Sequence, residues 1–281
     1  MNEVMTRGST TGMSAVEESQ SIAEIQAKMI LARNFPRDVQ RCRENIAIEC
    51  GTEELAKMAT YEYKRGTAVV KGASIRLVEC VSRYWGNIVS GIKEIASDGK
   101  KATVRAYCWD LETNFADEKV FDVPYVRETK SGGVVPVTSE RDKYEVMANM
   151  AARRKRACVQ AVIPKFIIDE AIELCEKTLE ESTLKDGIET TRNNMLAAFQ
   201  KKADWVTKEH IEEVTGKPFD SLNAKDIVKL RSLYNAVNDG FVKIDVAFNR
   251  ASAEIIDETA ADTLANVNKM LGVTDDEADK G

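Results

Sequence analysis

The chain has 281 residues, 31 % of them charged and 43 % hydrophobic, which fits a globular protein with a sizeable core and excludes a fibrous or wholly disordered chain. The formal net charge of −6 hides a division: residues 1–165 carry 26 Lys+Arg against 22 Asp+Glu, a net of +4, and residues 166–281 carry 14 against 24, a net of −10. A mildly basic body followed by an acidic region points to an anion-binding domain with an appendage that repels nucleic acid or recruits a basic partner.

Ser14 followed by Glu17 has the form of a capping box, and Ile22, Ile25, Met29 and Ile30 then recur at helical spacing up to Asn34-Phe35-Pro36, so the first helix is expected over about 15–33. A second runs from about Arg37 to Cys50 and stops at Gly51. Thr52, Glu53 and Glu54 open a third that closes at Gly66. A short β-branched piece, Thr67 to Gly72, precedes a helix over Ser74–Trp85 built on Ile75, Val78 and Val81. From Asn87 the helical spacing gives way to three β-rich runs, Asn87–Ala96, Ala102–Leu111 and Lys119–Val126, with Asp98-Gly99 as a hairpin turn between the first two. On the middle run Val104, Ala106 and Cys108 alternate with Arg105, Tyr107 and Trp109. A Gly-containing loop leads to a long helix over about 139–162, capped by Ser139 and stopped by Pro164. Further helices follow at about 166–181, 188–203, 207–214 and, after a cap at Ser221, 223–238; residues 180–185 read as a hinge and the acidic end after Val273 as a frayed tail. The fold class is therefore α+β: helices flanking a three-stranded antiparallel β-meander followed by a long helix, a β-β-β-α core, plus a helical C-terminal region. Residues 1–180 form the core domain and 185–281 the helical, acidic appendage.

Several chemistries are excluded by what the chain lacks. Its one histidine, His210, lies in the charged stretch Lys208 to Glu213, whereas Ser-His-Asp triads and zinc or two-His iron sites need imidazole in a cleft. No GxxxxGK[ST] run is present, so a P-loop ATPase is out. The six cysteines, Cys42, Cys50, Cys80, Cys108, Cys158 and Cys175, are widely spaced in apolar contexts and read as reduced core thiols. No apolar run approaches the ~20 residues of a membrane helix and the N-terminus lacks signal-peptide order, so a cytoplasmic chain without a membrane partner is expected.

The cations are patterned. On the long helix, Tyr144, Met147, Ala151, Cys158, Ala161 and Val162 fall on one side; Asn149, Arg153, Arg156 and Gln160 form a stripe opposite; Lys155 flanks it, and Arg154 must snorkel out of the apolar sector. In the meander, Lys93, Lys100, Lys101, Arg105, Arg127 and Lys130 interleave with Tyr107 and Trp109, a mixture suited to single-stranded nucleic acid, whose phosphates pair with cations while bases stack on rings. Lys71, Arg76 and Arg83 add charge near Gly72, and Trp85 reads as core. A competing enzyme reading, a Mg²⁺-dependent nuclease, rests on Asp110 followed by Glu128-Thr129-Lys130; a third is a structural or adaptor oligomer.

The stretches VVKGASIRLVECVSRYWGN (69–87), GIKEIASDGKKATVRAYCWDLET and DKYEVMANMAARRKRACVQAVIP (142–164) resemble the phage RecT/Redβ single-strand annealing superfamily over roughly Thr52 to Pro164. The resemblance implies ATP-independent annealing of complementary DNA strands by a homo-oligomer in the host cytoplasm, with one strand held in a basic groove between sheet and helix. It places Lys71, Arg76, Lys93, Arg105, Arg153 and Arg156 in the groove; Lys130 and Lys155 join them as cations on the residue pattern, with Tyr107 and Trp109 as stacking candidates. No catalytic residue, protein-bound metal or cofactor is implied, Mg²⁺ entering only with the DNA. The C-terminal region would engage an exonuclease and a single-strand binding protein.

Overall fold

The structure is a computed structural model that describes residues 10–128 and 133–250. Helix α1 (Thr10–Asn34) begins before Ser14, which lies inside the helix and does not cap it. Helix α2 (Val39–Cys50) is capped by Asp38, whose carboxylate accepts from the N–H groups of Gln40 and Arg41. The helix expected over Thr52 to Gly66 stops after one turn, α3 (Glu53–Ala56), and the chain turns into a hairpin of β1 (Thr60–Arg65) and β2 (Ala68–Ala73). Gly66, at φ 58°, makes the two-residue turn. A positive-φ glycine serves a helix C-terminus and a tight hairpin equally well, which is why the sequence reads either way.

Ser74 caps α4 (Ile75–Trp85), and the meander follows as β3 (Ile88–Ser97), β4 (Lys101–Asp110) and β5 (Phe115–Pro124), an antiparallel sheet in the order β3-β4-β5. A two-stranded ladder of β6 (Val126–Glu128) and β7 (Val134–Pro136) leads to α5 (Glu140–Val162), capped by Ser139. The alternation in β4 is realised fully: Ala102, Val104, Ala106 and Cys108 are wholly buried beneath α5, which lays Ala151 and Cys158 on them. Tyr144 and Ala161, expected on this inner side of α5, are exposed instead; Val159 fills the face. Opposite residues of paired strands share a face, so Lys93, Arg105, Tyr107 and Trp109 all lie on the other, outer face.

Helix α6 (Lys165–Asp186) is continuous through the expected hinge, because Leu179, Ser182 and Thr183 are buried; the break falls at Gly187, φ 84°. Then come α7 (Ile188–Lys202), α8 (Lys208–Thr215), α9 (Ala224–Asn238) and α10 (Ile244–Ala247). Asn223, not Ser221, caps α9 in a reciprocal box with Asp226. Helix α9 packs in two directions. Val228 joins the core of α2, α4 and α6, while Ile227, Leu230 and Leu233 join Met195, Phe199 and Phe248 of the C-terminal helices. It is also pinned to the first hairpin: Ser232 hydrogen-bonds Thr60 at 2.7 Å, and the Asn235 amide donates to the carbonyls of Lys57 and Thr60 at 3.0 and 2.8 Å. This docking brings the loop after α9 to the flank of α5. No helix among the described residues is long and apolar enough to cross a membrane.

Candidate functional site

The loop Asp239–Phe241, the first turn of α4 and the exposed stripe of α5 enclose a cleft of about 590 Å³, lined by Arg76, Asn149, Arg153, Arg156, Asn238 and Phe241 among others. Three of the anticipated cations converge here because Arg153 and Arg156 are three residues apart on one helical face and α4 crosses beside them. The Arg153 guanidinium donates to the carbonyls of Asp239 and Gly240, both at 3.2 Å, and lies over the Phe241 ring at 4.9 Å. Arg76 pairs with the Asp239 carboxylate at 3.5 Å.

Arg156 is held differently. Its guanidinium lies 4.8 Å from the Tyr61 ring centre and 4.9 Å from that of Phe241, and it makes no ion pair among the described residues. The two rings stack on each other at 4.5 Å with planes 23° apart. Tyr61 is itself held flat against its cross-strand partner Gly72: a Cβ there would meet the Tyr61 hydroxyl at 2.7 Å. Burial pushes the Arg156 guanidinium below its usual value, opposed by Tyr61, but an arginine stays charged at any physiological pH. The arrangement presents N–H donors without a carboxylate partner, in partial shelter from water and beside a second guanidinium, which favours a bound anion with planar or forked acceptors.

The remaining predicted residues do not share this cleft, which corrects the expected groove between sheet and helix: the sheet face toward α5 is closed by apolar packing. Lys93 and Arg105 are on the outer face, where Arg105 pairs with Glu118 and lies 5.4 Å from the Tyr107 ring. Tyr107 covers Gly91, whose Cβ would meet its hydroxyl at 2.8 Å, and Trp109 donates to Asn114 at 3.1 Å. With Lys101 paired to Asp122 at 2.7 Å, most of the outer-face charge is neutralised. Lys71 pairs with Glu176 of α6 at 2.6 Å, and Lys155 reaches Glu79 at 3.4 Å beside a different cleft. Arg154 snorkels over Phe121 at 5.0 Å, as its position requires. Lys130 and the acidic tail lie outside the described residues.

Asp110, the anchor of the nuclease alternative, is buried with Arg37 bonded to both of its oxygens at 2.7 Å; Glu112 and Thr113 donate their N–H groups to Oδ1. Arg37 also lies over Trp85 at 4.6 Å. A carboxylate so engaged is a structural tie between the start of α2 and the end of β4. All six cysteines are free and buried, and His210 accepts from the Thr207 N–H as part of the α8 cap.

Sequence reasoning missed Tyr61 and Phe241. Tyr61 was legible in the alternation Thr60-Tyr61-Glu62-Tyr63-Lys64; Phe241 carried no local signal. No family model, no curated protein and no solved structure matches this chain.

Proposed function

We propose that this protein binds single-stranded DNA through the Arg76–Arg153–Arg156 cleft and anneals complementary strands without ATP, in the manner of the RecT/Redβ proteins it resembles. The observation that carries the reading is Arg156, a guanidinium framed by Tyr61 and Phe241, without a carboxylate partner and open to a cleft with two more arginines. Phosphate repulsion resists the approach of two strands; a surface that neutralises one backbone and leaves its bases accessible lowers that barrier, and no covalent step is required. The sheet, read from sequence as half of the groove, serves in this account as the support on which α5 is mounted. The C-terminal helices contribute Asp239–Phe241 to the cleft, and an exonuclease and a single-strand binding protein are the partner classes proposed for their remaining surface.

The test mixes two complementary labelled oligonucleotides with the protein, with and without Mg²⁺ and in the absence of ATP, and follows duplex formation and strand length. Faster annealing with intact strands, lost in the Arg76→Ala/Arg153→Ala/Arg156→Ala triple variant, is the expected result. Unchanged annealing refutes the proposal, and shortened strands replace it with the nuclease reading.

A further inference from the structure

Helices α6, α7 and α9 meet the end of α3 around a second, smaller cavity of about 120 Å³. Its polar wall comes from helical spacing: Thr183 and Asp186 are three apart on α6, Thr191 and Asn194 are three apart on α7, and α9 adds Arg231. Lys57, just past α3, completes the rim, where Glu53 holds it at 2.6 Å. The volume is far below the roughly 300–1,000 Å³ of sites for drug-sized ligands and suits a small polyatomic ion.

Arg231 is the group that calls for a ligand. Burial pushes its guanidinium below its usual value, opposed by Tyr234, yet the group stays charged at physiological pH. Among the described residues it makes no hydrogen bond or ion pair. A guanidinium partly withdrawn from water keeps its N–H donors to satisfy, and Asp186 lines the same cavity without pairing to it. Helix α7 begins beside the cavity, and no side chain caps that end, which adds partial positive charge.

These features select an oxyanion, and Asp186 narrows the choice. A carboxylate in the wall repels an anion that offers only acceptors, but it accepts a hydrogen bond from an anion that keeps a hydroxyl. Hydrogen phosphate offers both: oxygens for Arg231, Thr191 and Asn194, and a P–O–H donor for Asp186. Sulfate has no proton to give at neutral pH, and a phosphate ester has lost its last one above about pH 6. We propose that this pocket binds one free hydrogen phosphate ion, held by Arg231 and selected against sulfate by Asp186. The ion bridges α9 to α6 and α7 across the break at Gly187. The pocket shares no residue with the Arg76–Arg153–Arg156 cleft, so the inference does not rest on nucleic-acid binding.

The experiment is equilibrium dialysis of radiolabelled inorganic phosphate against the full chain, near neutral pH and at fixed ionic strength. Saturable binding is expected, and the Arg76→Ala/Arg153→Ala/Arg156→Ala variant should keep it. Arg231→Gln should weaken it by about tenfold or more, the worth of one hydrogen bond to a charged group. Sulfate and methyl phosphate should each compete about tenfold less well than phosphate, for the same reason, and Asp186→Asn should let sulfate compete on equal terms. Thermal unfolding is the second readout: phosphate should raise the midpoint of the wild type and leave that of Arg231→Gln in place. Arg231→Lys, which keeps the charge and loses the fork, repeats the test with intermediate affinity should the glutamine variant fail to fold. Absence of saturable binding, its loss in the triple variant, unchanged affinity in the Arg231 variants, or sulfate or methyl phosphate competing equally in the wild type each overturns the proposal.

Discussion

Replacing Asp110 by Asn separates a structural carboxylate from a catalytic one. Asp110 and Arg37 have side chains only 4 % and 8 % exposed, and the two bonds between them are short at 2.7 Å. Removing one partner of a buried pair strands the other and typically costs about 3–5 kcal/mol. Asn keeps one acceptor and Arg37 keeps Glu112 at 3.1 Å, so Asp110→Asn should fall at the low end, about 3 kcal/mol, or on the order of 6–12 °C in Tm for a chain of this size. Burial works against the charged form of Asp110, but the hydrogen bonds from Arg37 and from the Glu112 and Thr113 N–H groups outweigh it, and the carboxyl titrates below its ordinary value. Its contribution is therefore complete above the unfolded value of ~3.9 and is lost as pH falls through the lower folded one. Urea unfolding of wild type and Asp110→Asn from pH 7 down to pH 3 should give curves that converge toward the acid end. A variant within about 1 kcal/mol of wild type at pH 7, or curves that stay parallel, refutes the tie. Loss of Mg²⁺-dependent DNA cleavage in a variant of undiminished stability restores Asp110 to the nuclease reading.

Four further outcomes follow from the geometry. Three arginines on one single strand give a slope of log K against log salt of about −2, and Arg156→Ala should reduce it by about 0.7; an unchanged slope in a fluorescence-anisotropy titration removes Arg156 from the site. Gly72→Ala should destabilise by about 1–3 kcal/mol in urea and weaken oligonucleotide binding as well, since the new Cβ displaces the Tyr61 ring from beneath Arg156; binding at wild-type strength shows that ring to be dispensable. The thiol of Cys50 is pushed up to about 12 by its hydrogen bond with Cys175 and by burial, against the opposing effect of Cys80, and that of Cys108 is pushed up to about 12 by burial, so a thiol reagent at pH 8 should label them only after unfolding; prompt labelling of either in the native protein contradicts their burial. Asp239→Asn, which removes the carboxylate on Arg76, should strengthen oligonucleotide binding by at most about fivefold, because the pair is partly exposed and worth no more than ~1 kcal/mol; weaker binding assigns Asp239 to the ligand side of the site.

The elements that sequence reading placed correctly have local causes. Ser74 and Ser139 cap helices because their hydroxyls reach an N–H three residues on, and Asp98-Gly99 turns a hairpin because Gly99 takes φ 82° while the Asp98 carboxylate accepts from Lys100 and Lys101. The strict alternation of β4 identified its buried face. Where local signals were degenerate the reading failed, as at Gly66, and where tertiary packing decided it could not succeed. Residues 180–185 are polar enough for a hinge, yet they are helical because Ser182 and Thr183 are buried.

The cleft shows why half of the candidate site was out of reach of pattern. Arg153 and Arg156 were recognisable as a stripe because three residues on a helix is a fixed geometry. Their surroundings come from a hairpin more than ninety positions before them and a loop more than eighty after, brought together by Thr60–Ser232 and by the Asn235 amide. The charge division of the chain looked like a basic body with an acidic appendage, yet the appendage closes the basic cleft: Asp239 supplies a carboxylate to Arg76, the backbone carbonyls of Asp239 and Gly240 accept from Arg153, and Phe241 supplies a ring. Those groups copy, in protein, the acceptors and the flat surface that a nucleotide would offer. If single-stranded DNA binds here as proposed, a strand entering the cleft must either share these arginines with the loop or replace it, so mutations in the acidic half of the chain should then alter nucleic-acid binding as directly as mutations on α5.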